Sequence, residues 1–215
     1  MTQPLVIAID GPAGSGKSTV ARRLAESIGV EYLDTGAMYR AVAFAALRQG
    51  IDPDHGAGVT AVAQEMTLEI SGDGTVTVDG IDATTEIRGP VVTRAVSAVA
   101  AIPGVRQELV SRQREWVRRR GGGVLEGRDI GSVVFPDARL KIYLSARPEI
   151  RAARRAKEVT DLDYNTVAAD LARRDDYDVN RVHDPLRLAD GAVDLDTSDL
   201  TIDEVIEVIR GLLDA

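Results

Sequence analysis

The chain has 215 residues, of which 44% are hydrophobic, and its formal net charge is −8. It contains no cysteine, which excludes disulfides, thiolate metal sites and thiol nucleophiles. The acidic balance argues against a protein that mainly coats nucleic acid, because such binding needs a basic surface. Met1–Pro4 lacks the basic segment of a signal peptide, and no apolar run reaches the roughly 18 residues that cross a membrane, so we expect a cytoplasmic protein without a membrane partner.

Along most of the chain, short apolar runs alternate with segments in which apolar residues recur at helical spacing. The runs predict five buried strands, at 5–10, 31–36, 121–127, 140–146 and 192–198. Periodic segments predict helices at 17–28, 37–50, 59–66, 91–101, 104–119, 148–158, 166–180 and 202–213, the last one capped by Ser198 with Asp199 or Thr201. Strands that alternate with helices form a mostly parallel sheet covered on both faces. The pattern therefore predicts an α/β fold of three layers.

One segment departs from this alternation. Residues 67–87 alternate polar and apolar positions in twos, and Asp-Gly pairs mark turns between them. This pattern predicts a small antiparallel β insert.

Residues 11–18 read GPAGSGKS and match G-x-x-x-x-G-K-[ST] in full, between a predicted strand and a predicted helix. The glycines let backbone N–H groups turn inward around a phosphate, and the following helix directs its N-terminal dipole at the same place. Lys17 can reach the β- and γ-phosphates, and the Ser18 hydroxyl can bind Mg²⁺. The sequence therefore predicts a nucleoside triphosphate site in a P-loop fold.

The charged residues favour one kind of phosphoryl acceptor. None of the three lysines is followed two residues later by Asp, which argues against a guanine-reading switch protein. Arginines cluster between positions 106 and 128 and between 147 and 187. A hydroxyl acceptor gains from a basic carboxylate, whereas a phosphate acceptor needs cations that offset the repulsion between two anions. The arginines favour a phosphorylated acceptor, although we expect Arg112, Arg114 and 118–120 to form a solvated face.

Five segments together resemble the bacterial cytidylate (CMP/dCMP) kinases, which belong to the P-loop nucleoside-monophosphate kinases. They are DGPAGSGKST, LDTGAMYRA, VSAVAAIPGVRQELVSRQRE, GRDIGSVVFPDARLKIYL and RRDDYDVNRVHDPL. The resemblance covers nearly the whole chain. It implies transfer of the γ-phosphoryl group of ATP to CMP or dCMP, with Mg²⁺ as cofactor.

The resemblance also implies a role for individual residues. It assigns ATP to the loop residues Gly11, Pro12, Ala13, Gly14, Ser15, Gly16, Lys17, Ser18 and Thr19, with Ser18 on the metal, and to the lid arginines Arg151, Arg154 and Arg155. It assigns the acceptor to Thr35, Arg40, Ser97, Arg106, Arg128, Asp129, Asp178 and Arg181. In this set Arg40, Arg128 and Arg181 hold the phosphate. Ser97, Arg106 and Asp129 read the cytosine, and Asp178 binds the ribose. The implied catalytic residues are Lys17, Arg128, Arg174 and Arg181, with Arg174 bridging both phosphate groups.

The same resemblance divides the chain into a core (1–36, 121–147 and 188–215), a monophosphate-binding insert (37–120) and a helical lid (148–180). Glu126 and Asp34 are candidates for an indirect role toward Mg²⁺. We expect a monomer that binds no nucleic acid. Two alternatives stay open from the residues alone: another small-molecule kinase of the UMP or shikimate type, and a non-catalytic regulatory module that binds ATP.

Overall fold

The structure is a computed structural model that describes residues 4–158 and 163–214. Contacts divide the chain into two compact units. The core unit comprises Met1–Tyr32 and Arg120–Ala215, and the insert unit comprises Leu33–Arg119. Part of the predicted lid, residues 159–162, lies outside the described residues. The predicted bounds of core, insert and lid stay predictions.

Eight strands and eight α-helices are found in the described residues. The strands are β1 (Leu5–Asp10), β2 (Tyr32–Asp34), β3 (Leu68–Ile70), β4 (Val76–Val78), β5 (Ile81–Asp82), β6 (Gly122–Gly127), β7 (Leu140–Ser145) and β8 (Val193–Asp196). The helices are α1 (Lys17–Ile28), α2 (Thr35–Arg48), α3 (Gly56–Glu65), α4 (Pro90–Ala101), α5 (Pro103–Arg120), α6 (Pro148–Glu158), α7 (Tyr164–Asn180) and α8 (Ile202–Asp214). Across 4–158 and 163–214, no helix has both the length and the apolar character needed to cross a bilayer.

The main sheet has five strands in the order β2-β6-β1-β7-β8. Strand β1 is parallel to β6 and to β7, and β7 is parallel to β8. All five predicted strands are present, so the α/β prediction is confirmed. The loop that follows β1 lies at the carboxyl edge of the sheet, because it leaves the carboxyl end of that strand. Ligands bind at this edge in such folds, and β1 places the loop at the middle of it.

An aliphatic core fixes β1 and α1 around that loop. Ile7 and Ile9 of β1 and Leu24 of α1 are fully buried, and they pack with Ile142 of β7 and Ile209 of α8. Helix α8 begins with a capping box, in which Thr201 and Glu204 exchange hydrogen bonds. This confirms Thr201 among the predicted caps.

The insert unit contains the predicted antiparallel sheet, in the order β3-β4-β5. Its helix α2 starts two residues before the predicted helix, because the Asp34 side chain accepts a hydrogen bond from the Ala37 N–H at 2.9 Å. One expectation was wrong. Arg112 is no solvated surface group, since it donates to the Ala63 and Met66 carbonyls at 2.8 and 3.1 Å at the end of α3. Unpaired C-terminal carbonyls attract such a cation.

Candidate active site

The loop between β1 and α1 has the backbone that its glycines predict. Gly11, Gly14 and Gly16 have φ angles of 149°, 74° and 91°, which side-chain-bearing residues rarely adopt. A Cβ atom at Gly11 would also lie 2.1 Å from the Leu144 carbonyl oxygen. The loop therefore requires glycine both for its turns and for its close approach to β7.

Lys17 lies at the start of α1 and is buried, with 5% of its surface exposed. Its Nζ donates to the Pro12 carbonyl at 2.7 Å and contacts Ser15 Oγ at 3.4 Å. Burial lowers the pKa of Lys17, and the positive charges of Arg128 and Arg174 lower it further. The ammonium group is thus held inside the loop among other cations.

Arg128, just after β6, forms a largely buried pair with Asp178 of α7, and the Nε–Oδ2 distance is 2.7 Å. Burial favours the neutral form of each group, but their mutual attraction prevails, so the pKa of Arg128 is raised and that of Asp178 is lowered. The pKa of Arg174 is lowered to about 10 by burial and by the charge of Arg128. The core unit therefore brings Lys17, Arg128 and Arg174 close enough to repel one another.

Asp129 and Arg181 are the next pair in the core unit. Both side chains are buried, and Arg181 Nη2 lies 3.5 Å from Asp129 Oδ2. The Arg181 Nε donates to the Asp184 carbonyl at 2.6 Å. The structure thus places the predicted base reader Asp129 beside a predicted phosphate ligand.

Asp10, which sequence reasoning missed, holds the segment that carries these residues. Its two carboxylate oxygens accept from the N–H groups of Ile130 and Gly131, at 2.8 and 2.7 Å. Residues Ile130–Val134 form a π-helical turn, so the carboxylate binds the N–H groups at its start. Burial raises the pKa of Asp10 to about 6, although both hydrogen bonds oppose that change. The only sequence signal was an Asp directly before the loop.

The three predicted lid arginines lie on α6. Arg151 donates to the Ala13 carbonyl of the loop at 3.0 Å and pairs with Asp175 of α7. Arg154 donates to the Ser15 carbonyl at 3.3 Å and to the Thr197 carbonyl at 2.6 Å. Arg155 pairs with Glu158, at 2.7 Å. Their predicted contacts with ATP stay predictions.

Four predicted acceptor ligands lie in the insert unit. Arg40 is buried and donates to the Ile87 carbonyl and to Thr93 Oγ1, both at 2.9 Å. Arg106 is also buried, and its guanidinium lies 6.0 Å from the centre of the Tyr39 ring. The other two are Thr35, which is buried at the start of α2, and Ser97, which is half-buried on α4. Arg40 and Arg106 are therefore part of the packed interior of the insert unit.

The candidate metal ligand Ser18 follows Lys17 in the first turn of α1, and its side chain is exposed. Residues 4–158 and 163–214 include no group of three or more His, Asp or Glu side chains that could hold a metal ion. Glu126 is buried and accepts from the Tyr32 hydroxyl at 3.0 Å, and Asp34 is 3.2 Å from Arg88. An exposed hydroxyl beside an anion-binding loop fits an Mg²⁺ ion that arrives with a nucleotide.

Comparisons with known proteins match nearly the whole chain. The family model described as cytidylate kinase matches residues 7–214. A cytidylate kinase from Mycolicibacterium paratuberculosis is 49% identical, over 99% of this chain and 96% of the relative. One from Corynebacterium glutamicum is 46% identical, over 98% of this chain and 95% of the relative. A solved gluconokinase from Sinorhizobium meliloti has a TM-score of 0.53 at 13% identity, covering 100% of this chain and 94% of its own, which shows a shared fold.

Proposed function

Because the chain belongs to the cytidylate kinase family, we propose that it transfers the γ-phosphoryl group of ATP to CMP or dCMP, giving ADP and CDP or dCDP. The observation that carries this proposal is the group of three cations in the core unit. Beside burial, the charges of Arg128 and Arg174 lower the pKa of Lys17, and the charge of Arg128 lowers the pKa of Arg174. Within the described residues, Arg128 is the member of this group with a carboxylate, Asp178, at hydrogen-bond distance. Such repulsion is relieved when a polyanion binds among them.

The chemistry of the acceptor explains why cations suffice. A nucleoside monophosphate is already anionic, so its attacking oxygen requires no general base. The barrier comes from bringing two phosphate groups together and from charge on the transferring group, which positively charged side chains offset. We assign Lys17 and Arg174 to the transferring phosphoryl group, and Arg40, Arg128 and Arg181 to the acceptor phosphate.

The base is selected by its pattern of donors and acceptors. Cytosine offers an amino donor with N3 and O2 acceptors, so the Asp129 carboxylate accepts from the amine, and Ser97 and Arg106 donate to the acceptors. Uracil presents a carbonyl where cytosine has the amine, which would leave the buried Asp129 facing another acceptor. Asp178 is assigned to the ribose. These roles make CMP and dCMP better acceptors than UMP.

Mg²⁺ is proposed as the cofactor, held by the Ser18 hydroxyl together with the ATP phosphates. When bound, the ion neutralises phosphate charge. The proposal also includes contacts of the lid arginines Arg154 and Arg155 with ATP, and a monomeric protein. The arginines are tested by substitution at Arg155, and the monomer by sedimentation.

A coupled assay of ADP release tests the function. ATP and Mg²⁺ are supplied with CMP, dCMP, UMP, AMP, GMP or shikimate, each separately, to the wild type and to Asp129→Ala. Asp137→Ala is the matched control, because that side chain is exposed in the turn after the same segment. We expect turnover with CMP and dCMP that collapses only in Asp129→Ala. Equal turnover with UMP would refute the assigned base reader, and ADP release independent of every acceptor would refute the kinase.

A further inference from the structure

Both backbone polar groups of the loop residue Ala13 are bound by one ion pair. The Ala13 N–H donates to Asp175 Oδ1 at 3.2 Å, and its carbonyl accepts from Arg151 Nη1 at 3.0 Å. The same Nη1 also donates to the other oxygen of Asp175. The three residues therefore form a closed ring of hydrogen bonds that joins the loop to α6 and α7.

The contact is packed as well as hydrogen-bonded. Ala13 belongs to a small apolar cluster with Ala152 of α6 and Val167 and Leu171 of α7. A Cβ atom at Gly14 would lie 3.0 Å from the Arg151 carbonyl oxygen, so the backbone of α6 lies directly against the loop. Only 11% of the Arg151 side chain and 18% of the Asp175 side chain are exposed. A pair this enclosed is held in one geometry.

The direction of the loop carbonyls matters for anion binding. A phosphate is bound by inward N–H groups, and a carbonyl that turned inward would repel its oxygens. The Ala13 carbonyl accepts from Arg151, and the Ser15 carbonyl accepts from Arg154. Both carbonyls are thereby satisfied by α6.

We propose that Arg151 and Asp175 are positioning residues, which act on ATP by fixing the Ala13 backbone and not by touching the nucleotide. The inference rests on the proposed function, and it replaces direct ATP contact as the role of Arg151. The guanidinium of Arg151 already donates to Ala13, to Asp175 and, through Nε, to the Ala146 carbonyl at 3.0 Å. A second role at the nucleotide would require it to abandon these partners.

A double-mutant cycle tests the proposal with Arg151→Met, Asp175→Asn and both together. Asp170→Asn is the matched control, since Asp170 pairs with Arg173 at 2.9 Å on the exposed face of the same helix. Affinity for a fluorescent ATP analogue is measured without acceptor, and kcat and KM for ATP and CMP are measured by ADP release. Thermal unfolding shows whether each variant folds. Asp175→Asn keeps the size of the side chain, so it remains informative if Arg151→Met does not fold.

We expect each single change to weaken ATP binding about tenfold, because the loop loses the contacts that preorganise its backbone, with the KM for CMP nearly unchanged. The double variant should bind ATP no more weakly than the single variant with the lower affinity, because each single change already breaks the same ring of hydrogen bonds. Losses that multiply, or Asp175→Asn with wild-type ATP affinity, would overturn the proposal in favour of direct contact. Wild-type protein that binds ATP but phosphorylates no CMP would refute the function, while the binding cycle would still decide this inference.

Discussion

Replacing Asp10 with asparagine separates the cost of burying a charge from the geometry that the charge maintains. In the wild type the carboxylate accepts from Ile130 and Gly131, and its pKa is raised from 3.8 to about 6 by burial. At pH 7.5 it is ionised in both the folded and unfolded states, and a shift of this size corresponds to roughly 3 kcal/mol of unfavourable burial. The amide removes that cost, but it faces one of the two N–H groups with a donor of its own.

The removed cost of burying the charge and the lost hydrogen bond nearly cancel in the free energy of unfolding. A lost hydrogen bond to a charged group costs about 1.5–3 kcal/mol. We therefore expect Asp10→Asn to unfold within about 1.5 kcal/mol of the wild type at pH 7.5. Activity should fall, because the substitution disturbs the turn Ile130–Val134, which directly follows Arg128 and Asp129. A displaced binding segment lowers kcat/KM for CMP by about tenfold or more.

The pH dependence of stability is a second, independent test of the role of Asp10. The folded protein binds the Asp10 proton more tightly than the unfolded chain, so acidification through pH 6 stabilises the wild type relative to Asp10→Asn. With the pKa at about 6 when folded and about 3.9 when unfolded, the gain between pH 7.5 and pH 5 is roughly 1.4 kcal/mol. Urea unfolding followed by circular dichroism at both pH values measures it, with Asp190→Asn as an exposed control. A wild type that loses stability relative to the variant on acidification would refute the reasoning, because the two N–H bonds would then dominate.

Three further changes have defined outcomes. Lys17→Met should lower kcat by about 10²–10³ while the melting temperature stays equal or rises, since a buried cation is removed; a normal kcat would contradict its role. Asp178→Asn leaves Arg128 without its partner and should cost about 3 kcal/mol in urea unfolding, whereas Asp170→Asn, from an exposed pair, should cost under about 1 kcal/mol; equal losses would contradict the difference in burial. Asp34→Ala removes the cap of α2 and should destabilise the protein by about 1 kcal/mol, seen as a lower urea midpoint, and an unchanged midpoint would contradict this.

Local patterns carried most of the fold. The strands of the main sheet follow from apolar runs, and α1 and α6 begin and end at the predicted residues. The turn Ile130–Val134 could not be predicted, because its sequence IGSVV has no helical period and its first N–H groups are satisfied by Asp10, 120 residues away. Arg112 was misjudged for a similar reason. Its carbonyl partners lie on another helix, and the spacing of charges along α5 does not indicate them.

In the candidate site, too, the sequence predicted the local backbone but not the contacts between distant residues. The glycine-lysine-serine pattern predicted the loop, because the pattern itself encodes the backbone. The burial of Lys17 became visible only in the structure. The family resemblance assigned the arginines of α6 to ATP, and in the structure Arg151 and Arg154 donate to carbonyls of the loop. Residue type indicates which chemistry is available. Only the fold determines which of two available acceptors, a phosphate or a carbonyl, receives it.

These observations connect the electrostatics of the site to its scaffold. Lys17, Arg128 and Arg174 repel one another, which favours a polyanion but also favours a loop that opens in its absence. Repulsion between buried cations can be borne only where other contacts hold the backbone. Asp10 holds the turn after β6, and the Arg151–Asp175 pair holds Ala13, so carboxylates oppose the opening on two sides of the same loop. Asp178 offsets the charge of Arg128 directly, and these two further carboxylates hold the backbone around the cations before a nucleotide binds.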